Sequence, residues 1–132
     1  MKSMPPTVSV VVCSYTEQRW TQLQNCIESA RNQTLPAHEI ILVIDHNEAL
    51  LARARAIYPD LLVIPNLNQQ SLSGARNIGI ANATGEIIAF VDDDAIIAPD
   101  WLEQLCACLD DPTALGAGGT ITPMWEGKQP RW

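Results

Sequence analysis

The chain has 132 residues, 47% hydrophobic and 17% charged, which is enough apolar material for one core and too much for a disordered or fibrous chain. Lys plus Arg is 8 against Asp plus Glu at 15, and the resulting charge of −7 excludes a binder of nucleic acid or of an anionic membrane surface, for want of counter-charge. Cys13, Cys26, Cys106 and Cys108 have neither CxxC spacing nor histidines at metal intervals, so they read as reduced thiols in or near the core.

Lys2 precedes an apolar stretch, but Pro5 and Pro6 interrupt it and Val8–Cys13 is too short for a signal-peptide core or a membrane span. A cytoplasmic chain is expected, with membrane association left to a full-length protein. Thr7–Cys13 (TVSVVVC) is a nearly continuous β-branched run, the pattern of a strand covered on both faces in a parallel sheet. Between Thr21 and Asn32, Leu23, Cys26, Ile27 and Ala30 recur at helical spacing, and Pro36 marks the exit. Glu39–Asp45 (EIILVID) predicts a second buried strand, and alanine-rich Glu48–Tyr58 a helix ended by a turn at Pro59 and Asp60. Leu61–Pro65 predicts a short third strand, Asn66–Ser73 a polar loop, and Gly74–Ala83 a helix closed by Thr84 and Gly85. Glu86–Val91 (EIIAFV) predicts a fourth strand that runs straight into Asp92, Asp93 and Asp94. Pro99 and Asp100 open a helix reaching about Asp110, with Leu102, Leu105, Cys106 and Leu109 inward, and Leu115–Thr122 (LGAGGTIT) is expected to add one more strand.

Strands and helices alternating at this spacing imply an α/β fold: one domain over 1–132, with a doubly wound, mostly parallel sheet and helices on both faces. In such sheets ligands bind beyond the carboxyl ends of the strands, where the strand order reverses. Attention therefore falls on three tips: Cys13–Glu17, Asp45–Asn47 and Asp92–Asp94.

Three adjacent aspartates repel one another unless a cation intervenes. In extended backbone Asp92 and Asp94, two residues apart, point the same way while Asp93 points elsewhere, a spacing suited to a shared divalent ion. Mg²⁺ or Mn²⁺ typically takes one or two carboxylates and completes its shell with water and substrate phosphate. A solvated acidic turn that caps the next element is the competing account of the triplet. Asp45, ending a strand, can accept the N–H of uracil or guanine, whereas adenine N1 is itself an acceptor; capping the next helix is its alternative role. In Ser73-Gly74-Ala75-Arg76-Asn77, helix-start N–H groups and the Arg76 guanidinium favour diphosphate, and Gly74 lets backbone approach closely; a plain surface arginine is the rival reading. Tyr15 can stack on a base or serve as packing, and Glu17 can orient its loop or stand exposed. His38 and His46 have no accompanying ligands and read as surface or turn residues. No GxGxxG, GxxxxGK[ST] or nucleophile elbow occurs, which argues against a dinucleotide dehydrogenase, a P-loop NTPase and a triad hydrolase.

Taken together, VSVVVCSYTE, EIILVID, GARNIGIANATGEIIAFVDDDA and PDWL resemble, in that order, the family 2 glycosyltransferases of GT-A fold, over nearly the whole chain. The resemblance implies that Cys13, Tyr15, Glu17 and Asp45 hold the nucleotide base, with Gly74, Arg76, Asp92 and Asp93 also at the nucleotide. The family's Asp-x-Asp motif falls on Asp92 and Asp94, which would contact ribose and carry a Mg²⁺ or Mn²⁺ ion bridging the diphosphate. Cys13, Thr16, His46 and Asn47 depart from residues common in the family, which touches the detail of base contacts and leaves the metal motif intact.

The resemblance further implies an inverting transfer from a UDP- or GDP-sugar to a saccharide or lipid-linked acceptor. It places the catalytic base downstream, so no catalytic residue is expected in this chain, which looks like the amino-terminal donor-binding part of a longer enzyme. Met124 and Trp125 would then lie on uncovered apolar surface open to self-association. A noncatalytic nucleotide-binding or regulatory module is the alternative. A receiver-like signalling domain fits less well, because Ser14-Tyr15 and Pro65-Asn66 occupy the tips where it needs acids. A haloacid-dehalogenase-type phosphatase would carry its Asp-x-Asp on the first strand, not the fourth.

Overall fold

The computed structural model describes residues 4–131. Four parallel strands form one sheet: β1 (Val8–Ser14), β2 (Glu39–Asp45), β3 (Leu62–Asn66) and β4 (Ile87–Asp92), in the order β3-β2-β1-β4. Val12 stands level with Leu42 on one side and Val91 on the other, so β1 is central and its β-branched run is covered on both faces. Helices α1 (Trp20–Arg31) and α2 (Glu48–Ile57) carry the chain outward from β1 to β3. Helix α3 (Leu72–Asn82) then returns it across the sheet to β4, and α4 (Trp101–Cys108) follows. The strand order therefore reverses between β1 and β4, at the tips of Ser14 and Asp92.

The period of two along each strand divides the core. Val8, Val10, Val12, Leu42 and Ile44 pack with Leu23 and Ile27 of α1, Leu50 and Ala54 of α2, and Leu102 and Cys106 of α4. Val11, Ile41 and Val43 face α3 through Ala75 and Ile78. Gly79 lets α3 lie close to the sheet, since a Cβ there would collide with the Val11 side chain. Asn47 caps α2 by accepting from Leu50 N at 2.9 Å, and Ser71 caps α3 by accepting from Gly74 N at 2.9 Å.

At the end of the sheet away from the tips, one carboxylate gathers three segments. Glu39 Oε2 accepts from Ser9 Oγ at 2.6 Å, Thr84 N at 2.6 Å and Thr84 Oγ1 at 2.8 Å. Ser9 Oγ in turn accepts from Gly85 N at 2.8 Å. The connection from α3 to β4 is thereby tied to β1 and β2.

Several expectations are corrected. Leu115–Thr122 is not a strand: Leu115 and Ile121 are 105% and 92% exposed, and no described strand lies beside the segment to satisfy its backbone. Its three glycines add no side chains to pack. Helix α3 starts at Leu72, ahead of Gly74, because Ser71 supplies the cap, and β3 extends to Asn66, which was expected in a loop. Asn47 rather than Asp45 caps α2, which removes Asp45's alternative role. The four cysteines are free, but Cys108 is exposed on the outer side of α4 and is no core thiol. No helix among the described residues is long and apolar enough to cross a membrane.

Candidate functional site

A concavity of about 350 Å³ lies at the reversal point, walled by Cys13, Ser14 and Tyr15 after β1, Asp45 after β2, and Asp92, Asp93 and Asp94 after β4, with Arg19, Leu72 and Ala75 completing it. A second one, about 320 Å³, lies towards α2 among Ile44, His46, Leu51, Pro65 and Leu67 and lacks the carboxylate cluster. The chemistry is concentrated in the first.

Extended backbone was expected through all three aspartates, but β4 ends at Asp92, and Asp93 and Asp94 lie in a turn closed by Ala95 N donating to the Asp92 carbonyl at 3.0 Å, so the turn sorts the three carboxylates. Asp92 and Asp94 are exposed towards the concavity, whereas Asp93 is only 4% exposed. Asp93 was expected at a nucleotide, but both its oxygens are engaged by the protein: Ser14 Oγ donates to Oδ2 at 2.8 Å and Arg19 Nη1 to Oδ1 at 3.1 Å. Burying a carboxylate is costly without such partners. The Asp93 charge, foremost, holds the Arg19 guanidinium above its ordinary range, against an opposing effect of burial. Arg19 sits in a 3-10 turn (Glu17–Arg19) that Thr16 caps, 5.3 Å from the Tyr15 ring centroid, with Nη2 donating to the Tyr15 hydroxyl at 3.5 Å.

Asp92 Oδ1 accepts from Arg76 Nη2 at 3.4 Å, and the same guanidinium lies 5.4 Å from the Phe90 ring centroid. Cys26 Sγ donates to the Asp92 carbonyl at 3.3 Å, which anchors the strand end from below. Two outward carboxylates fit a hard divalent cation. Among the described residues no three His, Cys, Asp or Glu groups converge into a closed ligand set, so such an ion would draw its remaining ligands from water and phosphate. That is the habit of Mg²⁺ and Mn²⁺ rather than of structural zinc.

Asp45 is 8% exposed, and its Oδ1 accepts from Asn66 Nδ2 at 2.9 Å and pairs with His46 Nδ1 at 2.7 Å. Among the described hydrogen bonds none uses Oδ2, which leaves that oxygen as an acceptor. His46 has φ 51°, the one positive value at a non-glycine among the described residues, so the backbone is strained where the chain leaves β2. Burial pushes the Cys13 thiol up to about 11, with the charges of Asp45, Asp93 and Asp92 adding and Arg76 opposing. Burial likewise pushes Cys26 up to about 12, aided by Asp93, Asp94 and Asp92. Neither thiol is a nucleophile near neutral pH.

The structure thus brings together Cys13, Tyr15, Asp45 and the three aspartates. Tyr15 is 53% exposed, its ring outside the core and in contact with the Arg19 guanidinium. Glu17 stands exposed on the 3-10 turn outside the wall, and Arg76 reaches it only through Asp92. Gly74 does not line the concavity either; a Cβ there would come 2.5 Å from Gln69 O, so its smallness serves the loop before α3. Sequence reasoning gave no site role to Ser14, Arg19 or Asn66, although Ser14 and Asn66 fell at strand tips. The available signal was electrostatic: the middle acid of a triplet, turned inward, requires a donor or cation on a facing segment.

The geometry has known counterparts. Glycosyl transferase family 2 matches residues 9–131. The glucosyl-dolichyl phosphate glucuronosyltransferase of Haloferax volcanii is 33% identical over 129 residues, which is 95% of this chain and 41% of that protein. The mannosyltransferase PcManGT from Pyrobaculum calidifontis, solved in complex with GDP-Man and Mn²⁺, superposes with a TM-score of 0.68 at 26% identity, covering 84% of this chain and 34% of its own. TarS of S. aureus in complex with UDP-GlcNAc shares the fold, with a TM-score of 0.63 at 24% identity over 80% of this chain and 31% of its own. The chain therefore spans about two fifths of the length of the curated relative, and a third of each solved one. With the family matched from β1 to the last turns of the chain and the GT-A arrangement of strands reproduced, this chain belongs to glycosyl transferase family 2.

Proposed function

We propose that the concavity at the β1/β4 reversal binds the nucleotide diphosphate of a UDP- or GDP-sugar together with Mg²⁺ or Mn²⁺. In the complete polypeptide this donor would serve inverting transfer to an acceptor hydroxyl. The observation that carries the reading is the outward pair Asp92 and Asp94, set beside an exposed Tyr15 and an Asp45 that keeps one carboxylate oxygen for a ligand. Asp92 and Asp94 would hold the ion, which when bound would act as a Lewis acid on the diphosphate leaving group. Tyr15 offers a face for base stacking, and Asp45 accepts a base N–H, which favours uracil or guanine over adenine. Arg76, exchanging its 3.4 Å contact with Asp92 for a phosphate oxygen, would add positive charge. In the transfer, the acceptor oxygen forms its bond to the anomeric carbon as the bond to the diphosphate oxygen breaks. The hydroxyl proton passes to a base that none of the described residues is assigned to supply. The GDP-Man and Mn²⁺ of the Pyrobaculum enzyme support this donor class, and an acceptor that is a saccharide or a lipid-linked sugar accords with the name of the Haloferax enzyme.

Calorimetry and thermal shift with UDP, GDP, ADP and CDP, each with and without Mn²⁺, test the proposal. UDP or GDP should stabilise the chain in a Mn²⁺-dependent manner, and Asp94→Ala should weaken binding by at least about 10-fold, as loss of a direct metal ligand does. Equal indifference to all four nucleotides would refute it.

A further inference from the structure

One side chain touches both walls of the concavity. Arg19 donates from Nη1 to buried Asp93 at 3.1 Å and from Nη2 to the Tyr15 hydroxyl at 3.5 Å, while its guanidinium lies 5.3 Å from the Tyr15 ring centroid. Ser14, adjacent to Tyr15, grips the other Asp93 oxygen at 2.8 Å. Asp93 stands in the turn between Asp92 and Asp94, so its inward anchorage fixes the backbone from which both exposed neighbours project. The planar fork of arginine has separate donors for two partners, whereas the single ammonium of lysine can match the charge but cannot span both.

From this arrangement we infer that Arg19 is a positioning residue that sets the base-side wall, through Tyr15, and the cation-side wall, through Asp93, with one guanidinium. The inference rests on the nucleotide-and-cation reading above. It predicts that Arg19, although its side chain borders the concavity, governs ligand affinity through Asp93 and Tyr15. Fixing a carboxylate through the group behind it typically alters metal affinity by about 10- to 100-fold.

The test uses the wild type, Arg19→Gln, Arg19→Lys and Asp94→Ala, with Glu39→Gln as a variant perturbed at the far end of the sheet. Mn²⁺ alone is titrated by electron paramagnetic resonance, and UDP and GDP with Mn²⁺ by calorimetry, at a temperature where melting curves show each variant folded. Arg19→Gln should weaken both Mn²⁺ and nucleotide binding by about 10-fold or more. Arg19→Lys should recover the Mn²⁺ arm, since Asp93 keeps a cation, but not the nucleotide arm, since Tyr15 is released. A role in stability alone would not produce that split. Glu39→Gln should melt earlier with both affinities unchanged. Should Arg19→Gln fail to fold, Arg19→Gln/Asp93→Asn removes the unpaired buried charge and carries the same measurement.

Wild-type affinities in folded Arg19→Gln would overturn the inference, as would equal losses in Glu39→Gln. Recovery of both arms by lysine would make Arg19 a mere charge partner of Asp93 and overturn it too. If the wild type binds neither Mn²⁺ nor nucleotide, the functional reading fails first and the inference falls with it. If the wild type binds and Asp94→Ala does not while Arg19→Gln is unaffected, the inference alone fails.

Discussion

Burial sorts the ionisable side chains around the concavity into those that react with solvent and those that do not. Cys13, pushed up to about 11, and Cys26, pushed up to about 12, stay protonated near neutral pH, while Cys108 is exposed on α4. At pH ~8 only about one Cys13 thiol in a thousand is ionised. Iodoacetamide should therefore label Cys108 first, with Cys13 and Cys26 lagging by orders of magnitude, a sequence that peptide mass spectrometry over a time course can follow. Early labelling of Cys13 would mean that the wall beside Asp92 opens far more than its geometry implies. The acids follow the same logic: Asp93 is buried against Ser14 and Arg19, whereas Asp92 and Asp94 are exposed.

Among the elements, α3 depends most on close approach. Among the described helices it alone covers its face of the sheet, through Ala75 and Ile78, and Gly79 meets Val11 where a Cβ has no room. Gly79→Ala gains up to about 1 kcal/mol of helix propensity but forces Val11 or the helix aside, at about 1 to 3 kcal/mol. A lower melting temperature is expected, together with weaker nucleotide binding, because Ala75 and Leu72 of the same helix wall the concavity. A stabilised Gly79→Ala variant would show slack that the packing does not display. On the opposite face α1, α2 and α4 share the load, so no single helix there is as exposed to one substitution.

For the molecule as a whole, the sheet's two ends have different tasks: the carboxyl ends of the strands hold the cluster of aspartates, and the amino ends hold the Glu39 network that joins β1, β2 and the α3–β4 connection. Burial alone would raise the Glu39 carboxyl, but hydrogen bonds from Ser9 and from Thr84 backbone and side chain outweigh it, with His38 assisting, and hold it below the ordinary glutamate value. A carboxyl lowered on folding contributes stability that is complete above its unfolded value and is lost as pH falls through its folded value. Stability should thus decline in the wild type as the pH falls below the ordinary carboxylate range. Glu39→Gln should lose about 1 to 3 kcal/mol at neutral pH and show a flatter acid limb, read from urea melts across pH. An unchanged acid limb in Glu39→Gln would remove Glu39 as its source.

Local pattern alone determined that this is an α/β chain with a parallel sheet: the apolar runs at β1, β2 and β4 and the 3.6-residue stripe of α1 carry their own periodicity, and the acids after Val91 could only fall at a strand tip. The same pattern, with the motifs that resemble family 2 glycosyltransferases, brought Cys13, Tyr15, Asp45, Asp92 and Asp94 to attention. Side-chain partnership over 74 and 79 residues, by contrast, has no local signature, so that Arg19 and Ser14 consume Asp93 was decided only when β1 and β4 came side by side. Tertiary structure likewise denied Leu115–Thr122 its strand, since a β-prone run pairs only where a neighbouring edge receives its backbone, and it set Gly74, inside α3, against the loop that precedes the helix. Residue identity settles what a side chain can donate, accept or bury; which partner receives it depends on distances that exist only after the chain has folded.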